Sequence, residues 1–304
     1  MSARTRPAIT SVRRPGRATG RPRRVRTIAE LRRVIAAWRR RGDRIGFVPT
    51  MGAIHDGHLG LVEQAQRAAD RVVVSVFVNP LQFGPTEDFR RYPRPRARDR
   101  ARLAAAGIDL LWEPGVADLY PADERTRVRV GGLDAVLEGA SRPGHFEGVT
   151  TVVLKLLNAV HPDDLWLGQK DAQQARLIEQ MCADLFLPVR VRRGATVREP
   201  DGLARSSRNA YLTPDARRQA VALSQGLGAA RAALSRGERS AAALKRAVRA
   251  AWRRCADVRE DYVAVVDAGT LEPVRTVRSR VLVAIAARVG ATRLIDNFEW
   301  EPKE

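Results

Sequence analysis

Two of the four histidines lie three residues apart in "PTMGAIHDGH" (Pro49–His58), with Gly52 and Gly57 beside them. Imidazoles at i and i+3 on a turn can face one bound anion, and when protonated they would stabilise charge that builds on a phosphoryl group. His55, Asp56 and His58 are also conceivable metal ligands, although no third or fourth His or Cys stands near them to complete a shell. The plainest alternative is a pair of loop histidines that bond locally. Three further segments carry similar donors. In "GQKDAQQ" (Gly168–Gln174) Lys170 suits a phosphate, Asp171 a ribose diol or a helix cap, and Gln174 a polar substrate group. In "DGLARSSRN" (Asp201–Asn209) two hydroxyls and Arg208 can cradle a polyphosphate, or form a polar loop with an N-cap. In "VFVNPLQFGPTEDFRRYPR" (Val76–Arg94) Asn79 and Gln82 can bind a small polar acid or satisfy the turn.

The elements that must hold these groups alternate. Helical spacing covers 28–40, 58–69, 94–106, 149–160 and 172–185; strand-like runs cover 44–50, 71–78, 108–114, 164–168 and 188–194. Strands alternating with helices imply βαβ units and a doubly wound, Rossmann-like parallel sheet. The histidine turn then falls between a strand and a helix at the carboxyl edge of that sheet, where ligands bind. After residue 197 the pattern changes to two long Ala/Arg-rich helices, 214–235 and 240–255, and three strands, 262–268, 280–287 and 291–298. The expected organisation is a tail over 1–26, a Rossmann-like domain over 27–196 and a smaller α+β lid domain over 197–304.

With 304 residues, 44% hydrophobic, the chain can bury a sizeable core. No run approaches the ~18 apolar residues of a membrane span, and no signal-peptide core is present, so the cytoplasm is the expected location. Cys182 and Cys255 are far apart and read as inert thiols rather than a disulfide or zinc pair. The net charge of +20 suggests a nucleic-acid partner, yet nine of the arginines fall in residues 1–26, which hold no acid, leaving +11 for the rest. That segment lacks apolar periodicity and is expected to be disordered. With aromatics at 5%, stacking platforms for bases are scarce, and no specific nucleic acid is expected.

Taken together and in order, "PTMGAIHDGH", "FVNPLQFGPTEDFRRYPR", "GQKDAQQ" and "DGLARSSRN" resemble the motifs of the pantothenate synthetase family, from about Val25 to Phe298. "HDGH" looks like the HxGH signature of the nucleotidyltransferase superfamily, and "RSSRN" stands where that superfamily has its KMSKS-type loop. The resemblance implies a homodimer that condenses pantoate with β-alanine, using ATP and Mg2+ and passing through pantoyl adenylate. It implies an ATP-binding turn of Met51, Gly52, Ala53, Ile54, His55, Asp56, Gly57 and His58, with His58 as proton donor and His55 sharing the phosphoryl charge. Gly168, Gln169, Lys170 and Asp171 would contact ATP, Val197 would lie beside adenine, and Arg205, Ser206, Ser207 and Arg208 would close over the phosphates. Gln82 and Gln174 would hold pantoate, with Gln82 also near β-alanine. Arg205 replaces a usual Met, Gln169 a usual Glu, and the "PRARDR" stretch has fewer acids than relatives, apart from Asp99. The magnesium ligands are left open. Rival readings are another adenylating enzyme, which the "NPLQFGPTEDFRRYPR" loop disfavours, and a basic RNA-binding protein on an old enzyme fold.

Overall fold

The computed structural model describes residues 21–302 except 86 and 254. Six parallel strands form the main sheet: β1 (Arg23–Val25), β2 (Ile45–Thr50), β3 (Arg71–Val76), β4 (Leu110–Trp112), β5 (Asp164–Gly168) and β6 (Arg190–Gly194), in the spatial order β1-β4-β3-β2-β5-β6. Between them run α1 (Ile28–Arg39), α2 (Asp56–Ala68), α3 (Arg96–Ala105), the one-turn α4 (Val116–Leu119) and α5 (Glu138–Ser141), α6 (His145–Val160) and α7 (Ala172–Asp184). The strands alternate their faces. In β3, Val73 packs with α1, α6 and α7 residues, while Val72 and Val74 pack with α2 and α3 residues; in β5, Leu165 and Leu167 oppose Trp166 in the same way. Both faces are therefore covered, as a parallel sheet requires.

The chain winds outward from β2 through β3 and β4, then returns to β2's other side for β5 and β6. The reversal point lies between β2 and β5. These two strands are paired only at Gly46↔Asp164 and Phe47↔Leu165, so their carboxyl ends part. Ile45 O accepts from Asp163 on the β5 side and Thr50 O from Phe77 on the β3 side, so alternation aims residue 49 toward β5. Residue 49 is proline, which has no N–H to extend that ladder. A crevice opens there by construction.

The second part is an antiparallel sheet of β7 (Val258–Asp267), β8 (Val281–Val289) and β9 (Thr292–Trp300), with α8 (Pro214–Ser235) and α9 (Ala241–Trp252) on one face. Its other face, through Val266, Leu282 and Ala284, packs on Ala172 at the start of α7. The small sheet is thus seated on the same helix start that follows β5.

The expectation of a disordered tail through residue 26 is corrected at its end. Arg23–Val25 pair in register with Leu110–Trp112, Val25 is buried, and Trp112 Nε1 donates to Arg26 O at 3.0 Å. Only one of these three side chains is apolar, so no pattern marks the strand. Residues 1–20 lie outside the described residues. Both cysteines are free, and burial pushes the Cys182 thiol up to about 11. Among the described residues no helix is long and apolar enough to cross a membrane.

Candidate active site

The turn after β2 is shaped by backbone conformation and one buried acid. Gly52 has φ +85°, a region that costs L side chains energy, and Ala53 follows at φ +49°. This bend points the amides of Ala53 and Ile54 at Asp99 of α3, which accepts them at 2.9 and 2.7 Å. Asp99 is 2% exposed; burial raises its carboxyl pKa, with the two amides opposing. Asp99 therefore braces the turn, and neither of its oxygens is free of a backbone partner.

At the start of α2 the histidines cap the helix. Gly57 N donates to His55 Nδ1 at 3.1 Å, and His55 N donates to His58 Nδ1 at 3.3 Å. A Cβ on residue 57 would come within 2.8 Å of His55 Cε1, so the cap itself requires glycine. The rings stack with centroids 4.0 Å apart. Since both Nδ1 atoms accept, each ring keeps its proton on Nε2. Burial, then Lys170 and Arg205, push His55 down to about 4, and burial, then His55 and Lys170, hold His58 well below its ordinary value. The protonated form, in which the imidazoles would carry charge to a phosphoryl group, is disfavoured by these surroundings. Half-buried, in contact and beside cations, the two rings favour the neutral form, in which each Nε2–H is a donor.

Asn79 caps a short 3-10 turn, Pro80–Gln82. Its Nδ2 donates to Gln82 Oε1 at 3.2 Å and Gly148 O at 3.0 Å, while its Oδ1 accepts from Tyr120 at 2.8 Å. At 1% exposure it orients Gln82, whose Nε2 lies 2.9 Å from Met51 Sδ. After β5, the 3-10 turn Gln169–Asp171 leads into α7. Gln169 turns away to Asn297 and Glu299 of β9, and Asn297 Nδ2 donates to Lys170 O at 2.7 Å. Asp171 Oδ1 lies 3.8 Å from Lys170 Nζ.

From the C-terminal part, Ser206 caps a 3-10 turn, Ser207–Tyr211, and Ser207 lies 3.3 Å from Tyr92 OH. Arg208 holds Asp88 with two N–H groups at 3.2 and 3.0 Å. Arg205 pairs with Asp56 at 2.8 Å and Glu199 at 3.0 Å, and Asp56 also pairs with Arg102 of α3. The Arg205 guanidinium therefore ties the segment between β6 and α8 to the first residue of α2.

One cavity of about 230 Å³ is lined by Met51, His55, Gly57, His58, Asn79, Gln82, Gly168, Lys170, Asp171, Gln174, Val197, Arg205, Ser206 and Arg208. Four segments far apart in the chain thus meet at the β2/β5 crevice. Gly52, Ala53, Ile54, Asp56, Gln169 and Ser207 do not line it: the first three build the turn, and the others are engaged as described. The cavity also contains Tyr92, Arg142 and His145, which the sequence reading did not single out as site residues. Tyr92 lay inside a quoted motif. Arg142 and His145 were missed because α6 begins at His145, four residues before the apolar run that signals it.

A family model, Pantoate-beta-alanine ligase, matches residues 23–299. The chain belongs to the pantoate–β-alanine ligase family. Pantothenate synthetase of Moorella thermoacetica is 52% identical over 277 residues, covering 91% of this chain and 98% of the relative. The enzyme of Agrobacterium fabrum is 51% identical over 274 residues, covering 90% and 94%. The crystal structure of pantothenate synthetase from Thermus thermophilus superimposes with a TM-score of 0.87 at 49% identity, covering 92% of this chain and all of that one. A Francisella tularensis pantoate–β-alanine ligase, solved in complex with β,γ ATP and β-alanine, matches at TM-score 0.74 and 33% identity, covering 91% and 97%. As a member of this ligase family the chain is an enzyme, and its Rossmann-like sheet with a small C-terminal antiparallel sheet matches the family's solved structures.

Proposed function

We propose that the chain condenses pantoate with β-alanine at the expense of ATP, releasing AMP and pyrophosphate through pantoyl adenylate. The observation that carries this reading is that the two capping imidazoles, Lys170, Arg208 and the amides of Gln82 and Gln174 all line one cavity at the crevice. A carboxylate attacking a polyphosphate needs no protein nucleophile; the obstacle is repulsion between anions, and aligned positive groups and donors remove it.

In this reading the pantoate carboxylate attacks the α-phosphorus and the bond to pyrophosphate breaks, its electron pair leaving on the bridging oxygen. His58 and His55, as Nε2–H donors, stabilise the oxygens that gain charge, and Lys170 and Arg208 neutralise the rest. The amine of β-alanine then attacks the acyl carbon and AMP leaves. The Met51–His58 turn and Gly168–Asp171 hold the nucleotide, with Asp171 on the ribose and Val197 beside adenine. Ser206, Ser207 and Arg208 close over the phosphates, so Arg208 exchanges Asp88 for the triphosphate. Gln82 and Gln174 hold pantoate; Asn79 acts through Gln82, Asp56 through Arg205, and Gln169 through the second domain.

Among the described residues no group of three or more His, Cys, Asp or Glu side chains could hold a metal ion, and Asp99 and Asp88 are already engaged. In this reading magnesium enters with the ATP substrate. Resemblance to the family extends the proposal to a homodimer acting in the cytoplasm, with domains divided near residue 197 and a tail now ending before Arg23.

The test mixes purified protein with ATP, magnesium, pantoate and β-alanine. AMP and pyrophosphate should appear in step with the amide product; AMP that forms regardless of pantoate defeats the proposal. His58→Ala should lose most of its rate while remaining folded.

A further inference from the structure

The proposed ligase reaction brings two carboxylates into one cleft, and only one is consumed. Pantoate's becomes an acyl phosphate; that of β-alanine stays ionised from entry to product. An anion in a partly dehydrated cleft requires a cation or several donors. On the cleft wall Lys170, Arg208 and the histidine pair serve the phosphates, and Arg205 is held by Asp56 and Glu199. Arg142 is the remaining cation among the described residues that line it; it lies beside Gln82, and its acidic partner, Glu87, does not line this cavity, whereas Arg205 is held by two acids at once.

Its surroundings are those of a carboxylate receptor. Arg142 Nε and Nη2 grip both oxygens of Glu87 at 2.6 and 2.7 Å, and Nη2 also donates to Gln82 O at 3.2 Å. His145 steadies the fork: its Nδ1 lies 2.8 Å from the same Gln82 carbonyl and its Nε2 lies 3.0 Å from Arg142 Nη1. A carbonyl only accepts, so His145 carries its proton on Nδ1 and takes a hydrogen bond from Arg142 through Nε2. The Arg142 side chain is 16% exposed, against 25% for Glu87, which hangs from the loop between the Pro80–Gln82 turn and α3. A planar guanidinium holding a loop carboxylate through two parallel bonds has the geometry with which it would hold a substrate carboxylate.

We propose that Arg142, steadied by His145, binds the carboxylate of β-alanine, and that Glu87 occupies this place until the amino acid displaces it. The proposal rests on the ligase reaction above. Propylamine, which has the amine and chain but no carboxylate, is the discriminating probe, with AMP release as the readout. In Arg142→Ala, kcat/KM for β-alanine should fall on the order of 100-fold relative to that for propylamine, the loss of a charge-assisted pair. Arg142→Lys should restore part of the ratio. Equal loss for both amines overturns the proposal, since a structural role makes no distinction between them. A raised KM for pantoate in pantoate-dependent ATP–pyrophosphate exchange, run before β-alanine is added, also overturns it. Glu87→Gln, which keeps Arg142, should lower the KM for β-alanine severalfold and leave propylamine unmoved; a rise, or an equal shift in both, overturns it as well. Wild-type protein without pantoate-dependent exchange defeats the ligase reading itself, and the present proposal with it.

Discussion

His55→Asn should make the fold less sensitive to acid. In the folded chain His55 is pushed down to about 4 from an ordinary 6.5 by burial, then by Lys170 and Arg205. A base with a depressed folded pKa binds protons better when unfolded, so its contribution to stability is intact above pH 6.5. It is lost as pH falls through 6.5 toward 4. At pH 5 the unfolded histidine is almost fully protonated and the folded one mostly neutral, which integrates to about 2 kcal/mol for this residue alone. Asparagine does not titrate there, and its Oδ1 can replace Nδ1 as acceptor for Gly57 N at the helix start. Urea unfolding at pH 7 and pH 5 therefore should show wild type losing about 2 kcal/mol more than His55→Asn on acidification. His145, shifted in the same direction by causes that do not include His55, loses its share in both proteins. His58, which His55 helps to push down, is shifted less in the variant, which adds to the difference in the same direction. Equal losses in the two proteins would refute the claim that His55 is held neutral by its surroundings.

Gly52→Ala should cost about 1–3 kcal/mol, because residue 52 sits at φ +85° and its new Cβ would lie 3.0 Å from Asp99 Oδ2; thermal unfolding gives the cost, and ATP affinity should fall with it. Deleting residues 1–26 should be less stable than deleting 1–20 by about 1–3 kcal/mol, since the longer cut removes buried Val25 and β1; identical urea midpoints would deny the strand a role. The shorter cut is also the proper one for testing RNA affinity of the Arg-rich segment. Arg205→Met should change stability by no more than about 1 kcal/mol, as its pairs with Asp56 and Glu199 are partly exposed. In the same variant the ATP KM should depend less on ionic strength than in wild type, since two ion pairs beside the cavity are gone.

Periodicity was enough to place most of the βαβ alternation, because helices and strands buried on a sheet must repeat their apolar residues with the period of their own geometry. Motif order was enough to bring His55, His58, Gln82, Lys170, Gln174 and Arg208 to one question. The edge strand Arg23–Val25 was not legible, since its pairing is made by backbone groups and one valine. Nor was the charge state of the histidines. It depends on burial and on Lys170 and Arg205, which stand more than a hundred residues away in the chain and come near only when β2 and β5 lie side by side. Types and spacing determined which groups this protein has for binding anions; proximity between distant segments decided which remain charged, which are already paired, and that Arg142 and His145 stand among them. Coulomb interaction and desolvation depend on distance in space, and sequence separation does not report it.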